Sequence, residues 1–138
     1  MAASPETTVT VTYNNGKISC DPEWVHCFWE VPGQEDIRWT FKGFPAEIRF
    51  VGVSFLNFVP PKYAQGVPGF IDSPPYLGVG PVDSAGQVGL PDLKTYGNLH
   101  KKGYFCYSLR FFDGTMVQRY SLDPGGTNDP NPPESPNP

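Results

Sequence analysis

The sequence predicts an all-β chain folded as a Greek-key β-sandwich of about seven to eight strands, and three observations carry that prediction. The first is composition: 15 glycines and 17 prolines among 138 residues leave little room for long helices, because these are the two poorest residues for a helix interior. The second is alternation. Runs rich in Val, Thr, Phe, Tyr and Trp repeat with period two, the signature of strands that bury one face. The third is punctuation, since Gly, Pro, Asn and Asp clusters separate those runs. Aromatic residues make up 14% of the chain, enough large rings to fill a core between two sheets.

Taken in order, Thr7 to Tyr13 opens with Val9, Val11 and Tyr13 on one face and Thr8, Thr10 and Thr12 on the other. Asn14-Asn15-Gly16 turns the chain, because Asn and Gly tolerate positive φ, and Lys17 to Cys20 returns. Asp21-Pro22 breaks that piece. Trp24 to Val31 then alternates with apolar residues on both faces, which suits a strand covered on each side. Ile37 to Phe41 follows the polar turn Pro32–Asp36, with Ile37, Trp39 and Phe41 pointing one way. Ile48 to Phe55 is the next strand, and Gly52 in its middle implies a bulge. Residues 57–100 form a long Pro/Gly-rich excursion, with short edge strands expected at Tyr76–Val79 and Gln87–Leu90. The clearest hairpin comes last: Tyr104 to Phe112, with Phe105, Tyr107, Leu109 and Phe111 facing one way, the turn Asp113-Gly114, then Thr115 to Leu122.

One domain is expected over residues 7–123, after a flexible start at 1–6 and before a tail at 124–138. That tail holds no apolar residue beyond proline, so it is expected to stay disordered. A formal net charge of −4, with Lys101-Lys102 the one adjacent basic pair, argues against nucleic-acid binding. No apolar run approaches the roughly 18 residues that would span a bilayer. The first eight residues lack the basic and apolar regions of a secretory signal, which points to the cytoplasm. Three cysteines, Cys20, Cys27 and Cys106, fit reduced thiols there; in an exported chain the alternatives are a Cys20–Cys106 or a Cys27–Cys106 bridge.

The sequence of these elements has a family likeness. A first strand ends Val11-Thr12-Tyr13. Asn15-Gly16-Lys17-Ile18-Ser19 follows, then Asp21-Pro22-Glu23 leading into Trp24-Val25, then Ile37-Arg38-Trp39-Thr40. Gly103-Tyr104, Tyr107 and Ser121-Leu122-Asp123-Pro124 come near the end. Over roughly residues 8–124 this resembles the cupredoxin-like sandwich, and in particular small bacterial members of it. The resemblance implies type 1 copper electron transfer, which requires two imidazoles, a thiolate and a weak axial Met. The position of the family's first His, within Gly43–Glu47, holds none. Cys106 lies inside a strand, no His follows it, and Met116 lies beyond the Asp113-Gly114 turn. The expectation is therefore a cupredoxin-like frame lacking the type 1 copper ligands, with no cofactor.

Other constellations are thin. If any metal binds, the ligands to test are Cys20, His26 and Cys106, with Cys27 and His100 nearby in the chain or the fold. The simpler reading makes Cys27 and Cys106 small buried hydrophobes and His26 a strand histidine. With only two histidines, no Ser/Cys–His–carboxylate set suggests itself, and Glu35-Asp36 and Asp21/Glu23 sit in turns. Gly78-Val79-Gly80 opens no helix and lacks the lysine of a phosphate loop. The aromatic rings are the remaining resource: Trp24, Tyr63, Phe70 and Tyr76 are candidate binding residues, although proline–aromatic packing accounts for the same rings without a ligand. The expectation is thus a non-catalytic, metal-free interaction module. It binds a protein partner or a second copy of itself, with residues 57–100 as its recognition surface. The alternatives are a carbohydrate-binding module using exposed Trp or Tyr, and an atypical copper or redox protein.

Overall fold

The computed structural model describes residues 7–45, 47–60, 69–82, 91–112, 118–120 and 124–131. Among them are ten strands and no helix: β1 (Thr8–Asn14), β2 (Lys17–Asp21), β3 (Trp24–Phe28), β4 (Arg38–Lys42), β5 (Arg49–Phe55), β6 (Tyr76–Pro81), β7 (Leu93–Asn98), β8 (Gly103–Phe112), β9 (Gln118–Tyr120) and β10 (Gly125–Asp129). They form two mixed sheets. The first has the order β2-β1-β4-β7-β6, and the second the order β3-β10-β8-β5 with β9 also against β8.

The expected alternation places the core. Val9 and Val11 are fully buried, as are Trp39 on β4 and Tyr107, Leu109 and Phe111 on β8. The β1–β2 turn forms where Asn15 and Gly16 take φ of 51° and 83°, the paired positive values that a two-residue hairpin needs. The bulge expected at Gly52 is present as a register shift between Phe50 and Gly52 against β8. Rings then join the two sheets. Phe111 of β8 packs on Phe44 and Phe41 at 5.0 and 6.0 Å between centroids, and on Phe50 at 5.5 Å.

Three expectations change. First, the segment from Pro124 is not a tail as far as Asn131. Gly125–Asp129 is β10, inserted between β3 and β8 and hydrogen-bonded along both sides. Its composition misled because this strand needs no apolar side chains. A Cβ on Gly125 would lie 2.8 Å from the Trp24 ring, and one on Gly126 would lie 2.7 Å from Val25 Cγ2. Neighbouring side chains already fill both faces, so only glycine fits. Residues 132–138 lie outside the described residues.

Second, part of the 57–100 stretch is built into the first sheet instead of wrapping the sandwich. β6 appears where an edge strand was expected, while β7 was not foreseen, since Pro91 precedes it and Gly97 interrupts its pattern. The strand expected at Gln87–Leu90 lies outside the described residues. Third, β3 ends at Phe28 instead of running to Val31. The Phe28 amide donates to Gln34 O and the Gln34 amide to Val31 O, which curls the chain into a turn. All three cysteines are buried and none forms a disulfide.

Candidate recognition surface

The sandwich is open along one side. β5 and β6 are terminal strands of different sheets, and among the described residues each pairs with one neighbour only, β8 and β7 respectively. Between them lies a groove of about 870 Å³. Phe50, Val53 and Phe55 line it from β5, Leu77 and Val79 from β6, and Arg49 is its one charged lining residue. Among the described residues, two strand edges without a second neighbour thus border a trough lined mostly by apolar residues. The edges offer unpaired amides and carbonyls, and the trough offers apolar area.

The four candidate binding rings have different fates. Tyr63 lies outside the described residues. Trp24 and Phe70 come together on the outer face of the second sheet, on either side of Tyr104, with centroids 6.0 and 5.3 Å from it. The Phe70–Tyr104 bridge and the β3–β10–β8 register set His26, Thr127, Tyr104 and Phe70 in one row across that face. Trp24 lies over Gly125, where the missing Cβ lets the indole come down on the sheet.

Tyr76 departs from the expectation of a surface ring: it is 2% exposed. It meets Phe105 edge-on at 6.0 Å and 90°, and it helps to floor the groove. The reason is position: Tyr76 starts the edge strand of the first sheet, and its ring packs against Phe55 and Phe105 of the second. Its hydroxyl has no partner in good hydrogen-bonding geometry but lies beside the Cys27 thiol. Burial pushes that thiol up to about 12, the Tyr76 hydroxyl pulling weakly the other way.

The metal candidates stay apart. His26 is exposed on the outer face and its Nδ1 meets Thr127 Oγ1 at 2.8 Å, whereas Cys20 packs in the core. Cys106 is fully buried on the row of β8 that also carries Tyr104. Among the described residues no three His, Cys, Asp or Glu side chains converge as a metal set. His100, the other histidine, stacks on Trp29 at 5.0 Å and 9° between planes, at the end of the sandwich where β3 and β7 finish.

Sequence reading missed one polar site. Asp36 Oδ1 accepts from Thr95 Oγ1 at 2.9 Å, and the same Thr95 oxygen accepts the Ile37 amide at 2.9 Å. Burial raises the Asp36 carboxyl above its usual range, against the pull of Thr95 and Lys94. Beside it a shallower cleft of about 440 Å³ is lined by Lys94, Tyr96 and Gly80. Only the pairing of β4 with β7 brings Asp36 to Thr95, so no local pattern announces it.

In comparisons with known proteins, no family model matches the chain, and no curated protein matches it.

Proposed function

We propose that this chain is a non-catalytic protein-interaction module on a cupredoxin-like frame without copper ligands. It receives an extended, apolar strand of a protein partner along the side between β5 and β6. The observation that carries this reading is the juxtaposition of two strand edges, unpaired among the described residues, across a groove of about 870 Å³ with a single charged lining residue. An added strand would satisfy one edge through its main chain and place alternate side chains in the trough, the logic of β-augmentation.

Selection from a library of extended heptapeptides tests it. Sequences with alternating apolar residues are expected to be enriched, and Val51→Glu, on an exposed groove-lining residue of β5, is expected to lose them. Absence of any enriched class, or enrichment indifferent to Val51→Glu, overturns the reading.

The outer face of the second sheet favours a second reading, carbohydrate binding. There the half-buried Trp24 ring lies over Gly125, with the exposed His26 imidazole on the same strand face. An indole laid on a sheet offers a stacking surface to a sugar ring, and the imidazole a hydrogen bond to a hydroxyl. Titration with soluble oligosaccharides should quench tryptophan fluorescence, and Trp24→Phe should remove most of that change. No response to any sugar class removes this reading.

A further inference from the structure

We infer that the outer face of the first sheet binds a neutral saccharide, one sugar ring stacking on Tyr96 while its hydroxyls bond to Asp36 and Lys94. This site is separate from the open side and lies on the other sheet from Trp24, so it goes beyond both readings above. Register defines the face. Trp39 and Leu93 are paired and buried, so Arg38 and Lys94, their neighbours and also a pair, look outward. Gly80 pairs with Lys94 and Gly78 with Tyr96, which puts these residues on the same outer face. Towards β1 that face is polar, with Thr8, Thr10 and Thr12 set against Arg38, Thr40 and Lys42.

Against that background Tyr96 is 55% exposed, and its ring has a seat. A Cβ on Gly78 would lie 2.6 Å from Tyr96 Cζ and 3.1 Å from Cε1, and one on Gly80 would lie 3.9 Å from Cε1. The phenol therefore lies over the two glycines of β6, in space that a side chain on Gly78 would fill, and its outward side is left to solvent. The ring borders the cleft of about 440 Å³ whose other walls are Asp36, Lys94, Thr95 and the end of β6 from Gly80 to Val82. That volume falls in the range of small-ligand sites. Thr95 Oγ1 holds Asp36 Oδ1 at 2.9 Å and is itself fixed by the Ile37 amide at 2.9 Å. Asp36 Oδ2 has no hydrogen-bond partner among the described residues, which leaves a positioned acceptor.

The chemistry of the cleft selects the ligand. Asp36 brings an acceptor and Lys94 a donor, of opposite charge. A cationic ligand would face Lys94 and an anionic one Asp36, and the net charge of −4 opposes anions further. A neutral polyol uses both groups, because each hydroxyl can donate to the carboxylate or accept from the ammonium. A sugar ring also has an apolar C–H face, which suits the open side of a seated phenol.

Nuclear magnetic resonance of the full chain, labelled with nitrogen-15, tests this. The probes are glucose, galactose, mannose, N-acetylglucosamine and short oligomers of each. At least one is expected to move the amides of Gly78, Gly80, Lys94 and Tyr96 saturably. Tyr96→Thr, which suits a strand, should weaken that binding by about tenfold or more, whereas Tyr96→Phe should keep it. Lys94→Met, on an exposed residue, should weaken it with the ring in place and supplies the test if Tyr96→Thr does not fold. The inference is overturned if no sugar moves these amides, or if binding ignores both Tyr96→Thr and Lys94→Met. A nucleoside that saturates the site where sugars do not overturns it too. Shifts confined to β3 and β10 and abolished by Trp24→Phe would put the sugar on the second sheet, against this inference and for the reading built on Trp24.

Discussion

The Trp39 indole on β4 donates to the Tyr107 hydroxyl on β8 at 3.1 Å, joining the two sheets through the middle of the core. Both residues are fully buried, and their rings meet edge-on at 5.4 Å and 69°. The pair lets the largest side chain of the core lie entirely inside, because its one polar atom is satisfied there. Tyr107→Phe keeps the ring but strands the indole N–H, and should cost about 1–3 kcal/mol in urea unfolding. A loss near zero would mean that the bond contributes nothing net.

β10 should prove indispensable. Ending the chain at Asp123 removes a strand hydrogen-bonded on both sides and exposes the edges of β3 and β8. Such a truncated chain is expected to lose its near-ultraviolet circular dichroism. Gly125→Val, which drives a side chain into the Trp24 ring, should destabilise the intact chain by about 1–3 kcal/mol in the same assay. A truncated chain that melts like the full-length protein would contradict the strand's role.

Asn98 and Asn128 exchange amide hydrogen bonds at 2.9 Å in each direction, and the Asn128 amide also donates to Lys101 O at 3.1 Å. Asn128 is fully buried, so its amide has no recourse to water. Asn128→Asp would aim a buried carboxylate at two acceptor oxygens and should cost more than about 3 kcal/mol at neutral pH. Because the fold then favours the protonated acid, part of that loss should return on acidification. Thermal melts across the acid range measure it, and a pH-independent deficit would refute the account.

Asp36 carries a pH dependence of its own. Burial raises its carboxyl in the folded chain, so the proton favours folding. The contribution is complete below the ordinary carboxylate value of about 3.9 and is lost as pH rises through the higher folded value. Asp36→Asn keeps an acceptor for Thr95 and removes the buried charge. It should raise the melting temperature at neutral pH and leave it little changed in strong acid. The opposite ordering would show that the Thr95 and Lys94 interactions outweigh burial.

The thiols should be silent. Cys20, Cys27 and Cys106 are all buried, and Cys27 is pushed up to about 12. A chromogenic disulfide reagent at mildly alkaline pH should find no reactive thiol in the folded chain and all three after unfolding in guanidinium. Fast reaction of the folded protein would reveal an accessible thiolate.

Alternation was legible wherever each strand face has its own fate. Val9/Val11 and Trp39/Phe41 could be read directly, because burying one face requires period two. The Asn15-Gly16 turn and the Gly52 bulge were equally plain, since each demands backbone freedom at one position. β10 was illegible because its faces are filled by rings from other strands. Trp24 and Phe70 were picked out singly, but Tyr104 unites them only through the β10–β8 register and the Phe70 bridge. The burial of Tyr76 was not legible because it depends on Phe55 and Phe105 of the other sheet.

By itself, then, the sequence determined the all-β class, the β1–β2 turn and most core-facing residues. These depend on local φ preference, on side-chain periodicity and on which residue types are present at all. The tertiary structure alone decided that Gly125–Asp129 is an inner strand, that Asp36 meets Thr95, and that β5 and β6 face each other across a groove as terminal strands of the described sheets. Those facts depend on which strands become neighbours, and pairing between distant segments leaves no mark on either segment read alone.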